Sequence, residues 1–348
     1  MNSLERILAT LNGETPDRPP VIPQMFAHTA VICGKSIHDY VESGEIAAKC
    51  QLGALARYGV DSVFAALDVC VEAAAVGCQI GYPQDIYPAV TKPAFDPSTD
   101  FARLVVPDPE RAARMPEVLA MARRLRKGVG DEHIVVGVVQ GPMTLAFQFL
   151  GAETALFLAA DEPDRFEQLL DFNTEVAIRF GLAQLAAGAH VTLVFEPAGC
   201  PEVVPVGFFR EFLAPRISKI FAAYRAGGAP ANWLHIAGQC QAILPLYRNL
   251  GADIGNFDYV VDPARLIRDV PPELCLDGNI KPLSFVEAEP EEIEVEARRL
   301  INLFRKRGRF ILSSGCEIPP EARPENIKAL VRAASRPPCQ RISDILGI

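Results

Sequence analysis

The chain has 348 residues, 49% of them hydrophobic and 22% charged, with a formal net charge of −9. That length is ample for a sizeable core, and the acidic balance argues against a nucleic-acid or anionic-membrane partner, since both require a basic face. No apolar run approaches the roughly 18 residues that span a bilayer, and nine cysteines, an odd number without a disulfide-like framework, point to a reducing, cytoplasmic setting.

Leu4, Ile7, Leu8 and Leu11 fall at helical spacing, which predicts an amphipathic first helix and not a secretory signal. Thr15 to Pro20 reads as a turn, and Val21 to Phe26 as a strand leading to His28. A helix over about 42–58 stops at Gly59, and a short strand over Asp61 to Phe64 precedes Asp68 and Glu72. Residues 80–107 are crowded with prolines and turn residues, which predicts an irregular excursion or hairpin.

Beyond it the pattern becomes regular. Strands are expected over 134–139, 191–195, 231–236, 253–257, 273–276 and 309–314, alternating with helices over about 109–128, 142–160, 163–188, 206–226, 262–268, 289–306 and 324–335. Such alternation implies a parallel sheet. At least seven strand–helix units, with no glycine-rich dinucleotide fingerprint after the first strand, favour an α/β fold of the (β/α)8 TIM-barrel type over a doubly wound sheet. It is expected as one domain over 1–348, with a helix and turn over 1–20 and the barrel over 21–340.

Polar residues gather at the C-terminal ends of these strands: Glu196, His235, Asp258, Asn279 and Cys316. In a barrel those ends form one rim, where catalytic groups sit. His235, one of five histidines, ends an otherwise apolar strand, and Cys316 follows Ser-Ser-Gly on a tight loop. Imidazole nitrogen and thiolate sulfur are ligands that Zn²⁺ takes readily, and a catalytic zinc usually keeps three protein ligands and one open position. Cys240, five residues after His235, and Glu196 are the candidates to complete such a site. Glu196 could also move protons, support His235, or simply cap the next turn. Asp68 and Asn279 are further catalytic candidates. Asp68 and Glu72 share a face if their stretch is helical, and the alternative is a solvated helix charge. Cys200 is expected to be packing, as are Cys33, Cys50, Cys70, Cys78, Cys275 and Cys339, and Lys281 a surface charge.

Several blocks resemble one family nearly end to end. They include Glu5-Arg6, Arg18-Pro19-Pro20-Val21, the run Asp68 to Ala73, and the run Gln140 to Ala146. Phe195-Glu196-Pro197, Leu234-His235-Ile236 and Gly278-Asn279-Ile280-Lys281-Pro282 continue the series. The most specific block is Gly315-Cys316-Glu317-Ile318-Pro319-Pro320, followed by Pro324-Glu325-Asn326-Ile327. The chain resembles the uroporphyrinogen decarboxylase superfamily, and within it the cobalamin-dependent methyltransferases. The resemblance implies a TIM barrel whose zinc is held by a His-x-Cys pair and a distant cysteine. His235 and Cys316 match two of these ligands, but the third position is Ala237, so the site is either rebuilt or lost.

The same resemblance implies methyl transfer between a small thiol, ether or amine-type substrate and the cobalt of a corrinoid supplied by a partner protein. A homodimer is left open. The decarboxylase branch needs arginines for a substrate rich in carboxylates, and the loop Gln24 to Ala30 contains none. Two alternatives stay open: a decarboxylase of a smaller acid using Asp68 or Glu72, and a non-catalytic paralogue that binds a corrinoid or a partner protein.

Overall fold

A computed structural model describes Met1–Ser335, so Cys339 and the barrel boundary at residue 340 lie outside the described residues. Nine strands follow in order: β1 (Ser62–Ala65), β2 (Gln79–Gly81), β3 (Ala89–Lys92), β4 (Ile134–Gln140), β5 (Val191–Phe195), β6 (Trp233–His235), β7 (Ile254–Asn256), β8 (Cys275–Ile280) and β9 (Phe310–Ser314). β1 and β4 to β9 form one parallel sheet whose neighbours follow the chain, whereas β2 and β3 form a separate antiparallel hairpin. The hairpin occupies the expected excursion. Among the described residues no single helix is long and apolar enough to cross a membrane.

The ring closes through a bridge where a full eighth strand was expected. Val21 pairs in parallel with Leu312. The Ile22 N–H donates to the Leu312 carbonyl at 3.0 Å, Leu312 donates to Pro20 at 2.9 Å, and Asp61 donates to Val21 at 2.9 Å. Pro20 and Pro23 flank this contact and have no N–H to offer a ladder, so the strand expected over Val21 to Phe26 shrinks to a single bridge.

Successive strand residues point to opposite faces, and here both faces are apolar. Phe64, Val136, Leu193, Trp233, Ile254 and Ile311 fill the barrel interior. Their neighbours Val63, Val135, Val194, Leu234 and Leu312 pack outward against the helical layer. This double burial is why the strands read as unbroken apolar runs.

The helices begin and end where local chemistry allows. Asn2 and Glu5 form a reciprocal cap on Ser3–Asn12, and Gly59 ends Gly44–Tyr58 in the left-handed region at φ 70°. Two long helices break. The stretch 142–160 divides at Gly151 into Pro142–Leu150 and Ala152–Asp161, bent by 110°. The stretch 206–226 passes through a wide turn at Phe209–Leu213, just before Pro215, which cannot donate to the preceding turn.

Asp61 fastens the closure. Fully buried, it accepts from Ser3 Oγ, Arg6 Nη1, Arg18 Nη1 and the Val21 N–H, each at 2.7 Å. Replacing it by alanine takes from Arg18 its carboxylate and leaves the buried Arg6 with Asp17 alone. Asp61→Ala is expected to lose about 3–5 kcal/mol, the usual loss on breaking a buried pair, read as a lower midpoint in urea unfolding. A midpoint equal to wild type would refute this role.

Candidate active site at the barrel mouth

The last inward-facing residues of the strands form a polar layer beneath the rim. Register aligns Gln140 with Phe195 and Phe195 with His235. Farther round, Asn256 pairs with Asp277, and Asn279 with Ser313. Gln24, two residues after the inward Ile22, places its amide nitrogen 2.8 Å from His235 Nδ1. The Phe195 ring lies against the imidazole with centroids 4.4 Å apart. His235 is fully buried, and burial pushes its pKa down to about 3, which keeps the ring neutral. Its Nε2 has no hydrogen-bond partner. Asn256 Nδ2 donates to Asp277 Oδ2 at 3.0 Å, and burial pushes the Asp277 carboxyl up to about 7.

Glu196 lies one residue past Phe195 and therefore on the opposite face. Its carboxylate caps the helix Pro142–Leu150, accepting from the Met143 N–H at 3.0 Å, the Thr144 N–H at 2.8 Å and Thr144 Oγ1 at 2.7 Å. The helix N-terminus favours negative charge there, although burial raises the carboxyl to about 7. A β-carbon at Gly141 would fall 2.3 Å from Glu196 Oε2, so only glycine lets the carboxylate lie this close. Capping, one of the roles open to Glu196, is the one its geometry provides.

The loops after β5, β6 and β7 meet around Gly238. Asp258 Oδ2 accepts the Gly238 N–H at 2.7 Å, and Asn279 Nδ2 donates to the Asp258 carbonyl at 3.2 Å. Asn279, a catalytic candidate by sequence, thus ties β8 to the loop after β7. Cys240 opens a short 3-10 turn. It is fully buried with Sγ 4.0 Å from the Asn256 carbonyl, and burial pushes its thiol up to about 12. Cys316 is half-buried on the loop after β9, its thiol raised by burial to about 11.

These residues do not assemble a zinc site. His235 Nε2 is the kind of unpaired buried nitrogen that a ligand would offer. Yet Ala237 supplies no donor, Glu196 faces the outer layer, and Cys240 is directed at a backbone carbonyl. Among the described residues no three His, Cys, Asp or Glu side chains come together as a metal-holding group, short of the three that zinc catalysis requires.

A cavity of about 40 Å³ opens at the mouth, lined by Phe26, Asp68, Tyr87, Gln140, Phe195 and Glu317 together with Ala66, Val69 and Val138. Asp68 is held by a two-pronged contact from Arg114 and by the Cys70 N–H at 2.7 Å. Glu72, expected to share its face, is buried elsewhere and accepts the Gln140 N–H at 2.8 Å. Glu317 accepts a short hydrogen bond from Tyr87 Oη, which in turn accepts the Ala27 N–H at 2.7 Å. Burial pushes the Glu317 carboxyl up to about 7. Sequence reasoning missed Glu317, Tyr87 and Gln24. The two-residue spacing from Ile22 marks Gln24 as inward, and Glu317 sits inside the most specific block, but nothing in the sequence aims Tyr87 at the mouth.

The family profile described as uroporphyrinogen decarboxylase matches residues 2–337. A methylcobamide:CoM methyltransferase of Methanosarcina barkeri is 29% identical, covering 94% of this chain and 96% of its own. A uroporphyrinogen decarboxylase of Agrobacterium fabrum is 26% identical, covering 95% and 97%. A solved methyltransferase from Methanosarcina mazei superposes with a TM-score of 0.87 at 26% identity, covering 96% of this chain and 98% of its own.

Two measurements test this description. Asp277 stays protonated in the fold up to about 7 against an ordinary 3.8. Its stabilising contribution is therefore complete below the ordinary carboxyl range and is lost as pH rises through 7. The Tm of Asp277→Asn relative to wild type is expected to climb from about pH 5 to about pH 8, and a flat difference would contradict the assignment. Elemental analysis of purified protein is expected to find substoichiometric zinc, unchanged by Cys240→Ala. One tightly held zinc per chain, lost in that variant, would show that the loops rearrange into a site.

Proposed function

Because the chain belongs to the uroporphyrinogen decarboxylase family, we propose that it serves the family's methyl-transfer chemistry, moving a methyl group between a small substrate and the cobalt of a corrinoid carried by a partner protein. The observation that carries this reading is the size and lining of the mouth cavity. At about 40 Å³ it has room for a few heavy atoms and none for a four-ring macrocycle, and its lining contains no arginine or lysine. A porphyrinogen needs both a wide cleft and cationic forks for its carboxylates. A corrinoid can instead stay outside and present one face to the rim.

The rim suits such a partner. Val69, Val203, Tyr259, Val260 and Leu283 are exposed on loops that follow barrel strands, and Ile86 projects from the hairpin loop with 66% of its surface in solvent. Exposed apolar side chains gathered round one opening mark a surface for docking. Inside, Phe26 and Phe195 keep water from the reacting carbon, while Gln140 and the Tyr87–Glu317 pair supply the polar contacts that orient the substrate. Cobalt carries the difficult bond chemistry, and the barrel supplies position and dryness. Zinc would make a thiol a nucleophile or polarise a donor, but the donor set does not fit it and the reading takes no step through it.

The test is a stopped-flow assay in which reduced cobalamin, then a corrinoid protein, is methylated by candidate donors in the presence of this chain. Conversion to the methyl-cobalt spectrum is expected, and Tyr259→Glu is expected to raise the KM for the corrinoid protein by about tenfold with little change in kcat. Release of CO₂ from a small acid, with no donor methylating cobalt, would overturn the proposal.

A further inference from the structure

We infer that the small substrate is a quaternary methylated ammonium, whose head group enters the mouth cavity and gives up a methyl group to reduced cobalt. The inference rests on the methyl-transfer reading above and names its substrate class. The cavity presents three aromatic rings, Phe26, Tyr87 and Phe195, with two carboxylates, Asp68 and Glu317. Arg114 neutralises Asp68. The charge of Glu317 meets only neutral partners, the Tyr87 hydroxyl foremost. No cation lines the cavity, so a sulfonate or carboxylate would enter against a net negative charge in a dry space. Aromatic faces beside a carboxylate are the surroundings that hold quaternary ammonium groups.

Size agrees with charge. A volume of about 40 Å³ is roughly three times what a single water requires, so a nitrogen with its methyl groups fills it and the remaining substituent points out to the rim.

The bond chemistry explains how the chain works without an assembled zinc site. The cobalt(I) electron pair forms the carbon–cobalt bond as the nitrogen–carbon bond breaks. The pair from the broken bond stays on nitrogen, which departs as a neutral tertiary amine. No proton moves, and the leaving group needs neither a Lewis acid nor a general acid. A neutral ether or thioether would leave as an anion and would need one.

Titration calorimetry on the full chain in mildly alkaline buffer, without corrinoid, tests the inference. The probes are tetramethylammonium, choline, the uncharged choline isostere 3,3-dimethyl-1-butanol, and 2-mercaptoethanesulfonate. Both cations are expected to bind about tenfold or more tightly than the alcohol, and the sulfonate not at all. Glu317→Gln is expected to remove most of the advantage of the cation over the alcohol. Phe195→Leu should weaken the cation with the carboxylate intact, and circular dichroism confirms the fold of each variant. Equal binding of cation and alcohol, preference for the sulfonate, or no binding of the cation would each overturn the inference. The methylation assay separates the two proposals. Methyl transfer from an ether or thioether but not from tetramethylammonium sinks the substrate class alone. Selective cation binding with no donor methylating cobalt sinks the methyl-transfer reading and leaves a cation site.

Discussion

A barrel needs every strand to find two neighbours, and here one segment cannot do so by backbone pairing alone. Pro20 and Pro23 leave Val21 and Ile22 to make what contacts they can with Leu312 and Asp61. The deficit is met by the buried Asp61 carboxylate, which gathers the first helix, the Arg18 turn and the Val21 N–H onto one pair of oxygens. Everything after Val21 inherits its position from that anchorage. Gln24 reaches His235 and Phe26 walls the cavity because the segment carrying them is tied down three residues earlier.

The other fixed constraint is the two-residue alternation along each strand. It made the barrel readable, since seven apolar runs separated by helical stretches have few other solutions. The expected strand over 191–195 coincides with β5, and those over 134–139 and 309–314 differ from β4 and β9 by one residue. Alternation also contains the answer for Glu196. If Phe195 faces inward, its neighbour faces the helices, so a carboxylate at a strand end is not thereby a carboxylate at the mouth. β8 shows the opposite case. It runs to Ile280, longer than expected, because Asp277 and Asn279 occupy inward positions that polar partners can satisfy. Residues brought in from outside the alternation were not legible. Tyr87 comes from the hairpin and Arg114 from the segment before Met115–Val129, and their directions depend on tertiary packing alone.

The mouth that results is acidic, aromatic and small. Its charges are individually employed, Asp68 by Arg114 and Glu317 by a phenol, while Glu196 and Glu72 lie outside it, on a helix end and on the Gln140 N–H. Such a site relies on exclusion more than on reactive side chains. His235 and Cys316 are the metal candidates that the sequence offers, yet the loops around Gly238 are laced to Asp258 and Glu202 with little room for an ion.

The hairpin of β2 and β3 stands apart from the sheet and contributes none of its hydrogen bonds. Yet Tyr87, on the loop between its strands, forms part of the cavity wall. Under the proposed function, shape selection is thus delegated in part to a hairpin that lies outside the hydrogen bonds of the ring. Changes over 79–92 can retune which molecules enter, while the load on the fold stays with Asp61 and the strands. In a scaffold built this way, new specificities lie within short mutational reach, and the barrel beneath need not be rebuilt to obtain them.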